Sequence, residues 1–162
     1  MDCTFSAQGQ LASFTDDNGK TTTLGGFAFG IPDSVAYTDA TSQTVAVDGF
    51  GQIASLTDQA GVTTSYGYDA IGRTVRIDYP SGDSVAWAPK TYSYSYVVDG
   101  RGLRTAHWVR NTKQGALTQQ TDFDALLTPV MAGKSEADTS ALSVSARTEY
   151  DRAGRTTFES LP

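Results

Sequence analysis

The sequence predicts an all-β fold: tandem antiparallel hairpins with a period of about 21 residues, joined into one twisted, curling sheet. Three observations carry this: evenly spaced glycines, an aspartate three positions before most of them, and two-residue alternation between the corners. No segment shows a sustained helical period, and Thr, Val and Tyr are abundant beside 16 glycines.

The repeat is visible by eye. QLASFTDDNGKTT (Gln10 to Thr22) superposes on QIASLTDQAGVTT (Gln52 to Thr64) at an offset of 42, twice the period. Gly9, Gly30, Gly51 and Gly72 are each 21 apart. Gly19, Gly61 and Gly82 form a second register, with Ala40 at its gap. Two interleaved registers place a corner about every ten residues, which leaves strands of about six and some ten to twelve strands in all.

The corner has a chemical signature, D-x-x-G. It occurs as Asp16 with Gly19, Asp48 with Gly51, Asp58 with Gly61, Asp69 with Gly72, Asp99 with Gly102, and Asp151 with Gly154. An aspartate opening a type I turn accepts hydrogen bonds from the amides ahead of it, and a glycine three residues on adopts positive φ without a Cβ clash. Such a turn closes a three-residue hairpin with a G1 bulge. These twelve residues are therefore structural turn residues.

Between corners the pattern is that of strands. Thr64, Tyr66 and Tyr68 share one face, as do Val75, Ile77 and Tyr79 after the turn. Tyr92, Tyr94, Tyr96 and Val98 alternate with Thr91, Ser93, Ser95 and Val97. Regular repeats span 1–102. Over 103–130 they degenerate, with Asp124 to Leu127 (DALL) placing leucine where glycine belongs. The stretch 131–142 reads as a loop or insertion with a short helical turn near Ser135 to Ala141, and 143–162 restores the repeat. At 162 residues the whole is expected to be one β-domain.

Composition narrows the partners. Twelve Lys and Arg against 18 Asp and Glu give a net charge of −6, with the basic residues scattered, so neither nucleic acid nor an anionic membrane is expected. Cys3 is the single cysteine, which excludes an internal disulfide framework and a cysteine cluster for zinc. No apolar run approaches the ~20 residues of a membrane span, and no signal peptide follows Met1.

YGYDAIGRTVRIDYPSGD and TEYDRAGRTTFESLP resemble the Y-D-x-x-G-R unit of the RHS/YD-repeat family, found in bacterial RHS and insecticidal toxin-complex shell proteins and in teneurins. YSYVVDGRGLRT resembles a weaker copy, TDFDALLTPV a degenerate one, and SLTDQAGVTTSYGYD the link between copies. The resemblance implies a β-strip that spirals into a hollow shell, of which this chain would be a section cut from a longer array. In bacteria such a shell encloses a toxic C-terminal segment of the same polypeptide, and in teneurins a related one serves adhesion. It implies further repeats or a toxin domain of the same parent polypeptide as partners, a secreted or cell-surface location with the export signal outside this chain, and carbohydrate binding as the alternative role. Bacterial members close with a D-P-x-G-L type segment at a self-cleavage site. DGRGL, Asp99 to Leu103, lacks the proline and sits mid-chain, so no protease residues carry over.

Catalysis, metal and cofactor chemistry find no foothold. His107 is the only histidine, and on alternation it shares a face with Leu103, Thr105 and Val109, as a structural or surface residue. The turn aspartates lack calcium-loop spacing. Asp69 with Asp78, or Asp48 with Asp58, would be carboxylate pairs for glycoside hydrolysis, yet aspartate recurs at every corner where an active site would be singular. The expectation is a non-enzyme without metal or cofactor. Tyr92, Tyr94, Tyr96 and Trp108 are the candidate ligand-binding residues, either as a platform for sugar rings or as packing between layers. Arg73 and Arg155 either pair with acids, stack on tyrosines or lie in solvent.

Overall fold

The structure, a computed structural model, describes residues 2–82, 85–98, 106–135 and 143–160, with the side chains of 143–145 outside the description. It divides into two compact units, Met1–Trp87 and Ala88–Pro162. Both are all-β, and no helix occurs among the described residues.

The first unit runs β1 (Asp2–Phe5), β2 (Leu11–Thr15), β3 (Thr21–Ala28), β4 (Ile31–Ala36), β5 (Ser42–Val47), β6 (Ile53–Thr57), β7 (Thr63–Tyr68) and β8 (Thr74–Asp78). Each strand pairs antiparallel with the next in sequence, so the topology is a plain meander. The second unit repeats this with β9 (Lys90–Val97), β10 (His107–Gln114), β11 (Leu117–Phe123), β12 (Pro129–Ser135), β13 (Ser143–Tyr150) and β14 (Thr156–Glu159). Fourteen strands among the described residues exceed the expected ten to twelve, because the degenerate segment keeps the rhythm.

That is a correction for 131–142. Met131–Ser135 is not a loop but the body of β12, paired to Thr118–Asp122 of β11. Its Gly and Ala content hid a strand whose neighbours supply the packing. Residues 136–142, with the rest of the expected helical turn, lie outside the described residues, as do Asp99 and Gly102.

Pairing puts Tyr66 opposite Ile77, so the predicted faces of β7 and β8 meet. Bulges fall beside the corners, at Gly67/Tyr68 and Ala46/Val47, where a G1-type turn adds one residue to a strand. The apolar core is small. Among the described residues only Val109 and Met131 are buried hydrophobics, both in the second unit, and the first unit is half-exposed throughout.

A meander sends alternate corners to opposite ends of its sheet. In the first unit one end carries Phe5, Phe29, Phe50 and Ile71, all exposed, Phe50 at 90% and Ile71 at 75%. The other end carries Asp16, Asp17, Asn18, Asp39, Asp58 and Gln59. Unit 1 therefore has one apolar rim and one acidic rim.

Candidate functional site

The corners share one geometry. At Asp69 the backbone amide donates to Arg73 O at 2.9 Å, and Gly72 N donates back to Asp69 O at 3.0 Å. Asp69 Oδ1 accepts from Ile71 N at 3.1 Å and from Arg73 N at 2.9 Å. The same carboxylate pattern holds at Asp16, Asp48, Asp58 and Asp151. Gly19, Gly51, Gly61, Gly72 and Gly154 have φ between 75° and 85°, the left-handed region that an L side chain resists.

Three further corners escape the D-x-x-G pattern. Asp124 holds Leu126 N and Thr128 N in the same way, with Leu127 at φ 62° in the glycine position. Ser6 Oγ accepts from Gln8 N and Gln10 N at 3.3 and 3.2 Å. Tyr37 to Ala40 makes the backbone corner without an acid at its first position, and Asp39 caps Thr41 N at 3.0 Å instead. Gly30 differs again: it follows Phe29 in a two-residue turn with φ 53° and 81°, although its spacing placed it in the corner register.

Arg73 and Arg155 pair with acids. Each Nε donates to Oδ2 of its own corner aspartate, at 2.7 Å for Asp69 and 2.8 Å for Asp151. At Asp69 burial raises the carboxyl pKa, but the Arg73 guanidinium, the Arg73 amide and the Ile71 amide together hold it below the ordinary aspartate range. At Asp151 the Arg155 amide is the largest cause of the same depression, followed by the guanidinium.

The suspected carboxylate pairs do not converge. Asp48 and Asp58 close opposite ends of β6, and Asp69 and Asp78 lie at opposite ends of β8. Asp78 takes both Nε and Nη2 of Arg76, at 2.7 and 2.6 Å.

The aromatic residues do share a face. Register places Tyr92 opposite Thr112, Tyr94 opposite Arg110, and Tyr96 opposite Trp108. Tyr96 and Trp108 meet edge to face at 5.4 Å between centroids, 59% and 39% exposed. Arg110 lies over the Phe123 ring at 5.7 Å, and Lys90 over Tyr92 at 5.7 Å.

The opposite face holds His107, whose Nε2 lies 3.2 Å from Asp122 Oδ1, with the two side chains only 3% and 1% exposed. Gln120 Nε2 donates to the same oxygen at 3.1 Å. A His–Asp pair orients an imidazole in acyl-transfer enzymes, but a pair sealed from solvent meets no substrate. Its role is to satisfy polar groups beside Val109 and Met131. Among the described residues no three His, Cys, Asp or Glu side chains gather as a metal site.

This construction, one aspartate-capped corner repeated through meanders of short hairpins, defines a tandem β-hairpin repeat protein. Residues 47–84 match the family described as RHS Repeat, which supports the RHS/YD-repeat assignment for that segment. The match spans two successive corners, Asp58–Gly61 and Asp69–Gly72, and begins with a third at Asp48. No curated protein matches the chain.

Proposed function

We propose that this chain is a wall section of an RHS-type shell that encloses a C-terminal toxin domain of the same parent polypeptide and helps deliver it, outside the cell or at its surface. The coarser statement, a repeat-containing structural protein, follows from the family. The observation that carries the finer one is the apolar rim of the first unit.

Phe5, Phe29, Phe50 and Ile71 are exposed at one end of the sheet of the first unit. Burying each would contribute about 1.5–3 kcal/mol, a gain that further repeats packed against the rim supply. The corner aspartates are spent on backbone amides, which fits a wall. Cryo-electron microscopy of the full natural polypeptide tests the reading. A closed hollow particle with density inside is the expected image, and an extended, empty strip contradicts it.

The exposed Tyr96–Trp108 pair favours a second reading, a cell-surface glycan-binding or adhesion module using Tyr92, Tyr94, Tyr96 and Trp108. Amphipathic rings at the surface of a rigid sheet stack on the apolar faces of sugars.

A further inference from the structure

We propose that the aromatic face of β9–β11 binds a carboxylate-bearing sugar, with Arg110 as the group that takes the carboxylate. The inference rests on the glycan reading and adds its ligand class and its charged anchor.

Charge singles out this face. The chain carries a net −6, yet the register positions on the tyrosine side of β9 to β12 hold Lys90, Arg110 and Lys134 and no Asp or Glu. Asp122, the acid of β11, points to the opposite face, where it meets His107. Among the described residues these aromatic-side positions thus carry cations and no carboxylate, a sign that suits an anionic ligand.

Arg110 differs from the paired arginines. Arg73, Arg76, Arg147 and Arg155 each hold a carboxylate within 3.0 Å or less. Arg110 instead lies over Phe123, and its buried Nε–H has no acceptor. The buried Nε is itself closed to a ligand from solution, but a guanidinium partly desolvated by a ring and holding no carboxylate gains more from one at its outer nitrogens than a hydrated one does. Planar fork geometry favours a carboxylate for such a group, and Tyr94 opposite with Trp108 and Tyr96 beside it offers the ring faces.

A sugar fits better than a nucleic acid strand. The few cations described on this face, inside a chain of net −6, give too little phosphate neutralisation for a polyanion, whereas one guanidinium suffices for one uronate.

The test is Trp108 fluorescence in a Trp87→Phe background, titrated with α-1,4-trigalacturonate, with neutral α-1,4-galactotriose of the same length, and with an oligothymidylate. The expected result is a saturable change with trigalacturonate, at least about tenfold weaker with galactotriose, and weakened about tenfold or more by Arg110→Gln. Tyr96→Ala, at an exposed position, should weaken both sugars alike, and circular dichroism confirms that each variant is folded. Equal binding of the two sugars, or full affinity in folded Arg110→Gln, overturns the carboxylate anchor and leaves the glycan reading standing. No response to either sugar, or a response to the oligothymidylate alone, overturns both.

Discussion

The Arg73 guanidinium donates through Nε to Asp69 Oδ2 at 2.7 Å while Asp69 Oδ1 holds the Ile71 and Arg73 amides. One carboxylate therefore fixes the turn with one oxygen and the side chain of the residue that leads into β8 with the other. Asp151 and Arg155 repeat the arrangement at 2.8 Å, which gives the arginine after the corner glycine a structural reason to be there.

Replacing that carboxylate should separate its two tasks. Asp69→Ala removes both the amide acceptor and the partner of Arg73, whereas Asp69→Asn keeps an acceptor for the amides. The melting temperature should fall in both variants and further in Asp69→Ala, as read by circular dichroism. Equal stability of Asp69→Ala and the parent would mean that the corner holds without its acid.

Glycine at the corner is required by conformation. Gly72 has φ 85° and Gly154 φ 76°, so alanine at either should cost about 1–2 kcal/mol in chemical denaturation. An added Cβ at Gly154 meets no atom within 4 Å, while at Gly72 it meets Gln52 Nε2 at 2.7 Å, a flexible side-chain end that must swing away. Gly72→Ala should therefore be the more costly. At Leu127, where an exposed leucine holds φ 62°, the reverse change Leu127→Gly should stabilise by about 0.5–1 kcal/mol.

Acid should weaken the corners in a defined window. Asp69 and Asp151 are held below the unfolded aspartate value of about 3.9, so the unfolded chain binds protons first as pH falls. Their contribution is complete above that value and is lost as pH drops through the depressed folded values. Thermal melts from pH 5 to pH 2 should show this loss, and an Asp69→Asn, Asp151→Asn double variant should show a flatter profile.

The buried pair of the second unit is a separate element of stability. Asp122→Ala strips the acceptor from His107 Nε2 and Gln120 Nε2 in a sealed site, and should cost on the order of 3 kcal/mol. A loss well below 1 kcal/mol, measured by denaturant unfolding, would mean that the pair is not what satisfies this core.

The corners were legible in the sequence because a side-chain acceptor at one position and positive φ three residues later restrict residue types strongly, as at Asp58 and Gly61. Where the backbone made the same turn with other residues, at Ser6 and Tyr37, the signature vanished although the glycine spacing marked both places, while at Asp124 to Leu127 the acid remained and only the glycine was lost. Strand β12 was illegible because Ala132 and Gly133 have little strand preference of their own and owe their conformation to β11 and β13. The His107–Asp122 contact joins diagonal neighbours on adjacent strands, so it depends on a register that alternation alone does not fix. The orphaned Nε of Arg110 has the same origin, since it follows from which rings the register sets around it.

Limited proteolysis with mass spectrometry on the full natural polypeptide tests the wall reading most directly. The account predicts that a segment C-terminal to the repeats survives inside a protease-resistant repeat region, and that it is digested once the shell is opened by denaturant. Rapid loss of that segment from the native protein, or repeats with nothing behind them to protect, would contradict confinement and leave the aromatic face as the functional surface.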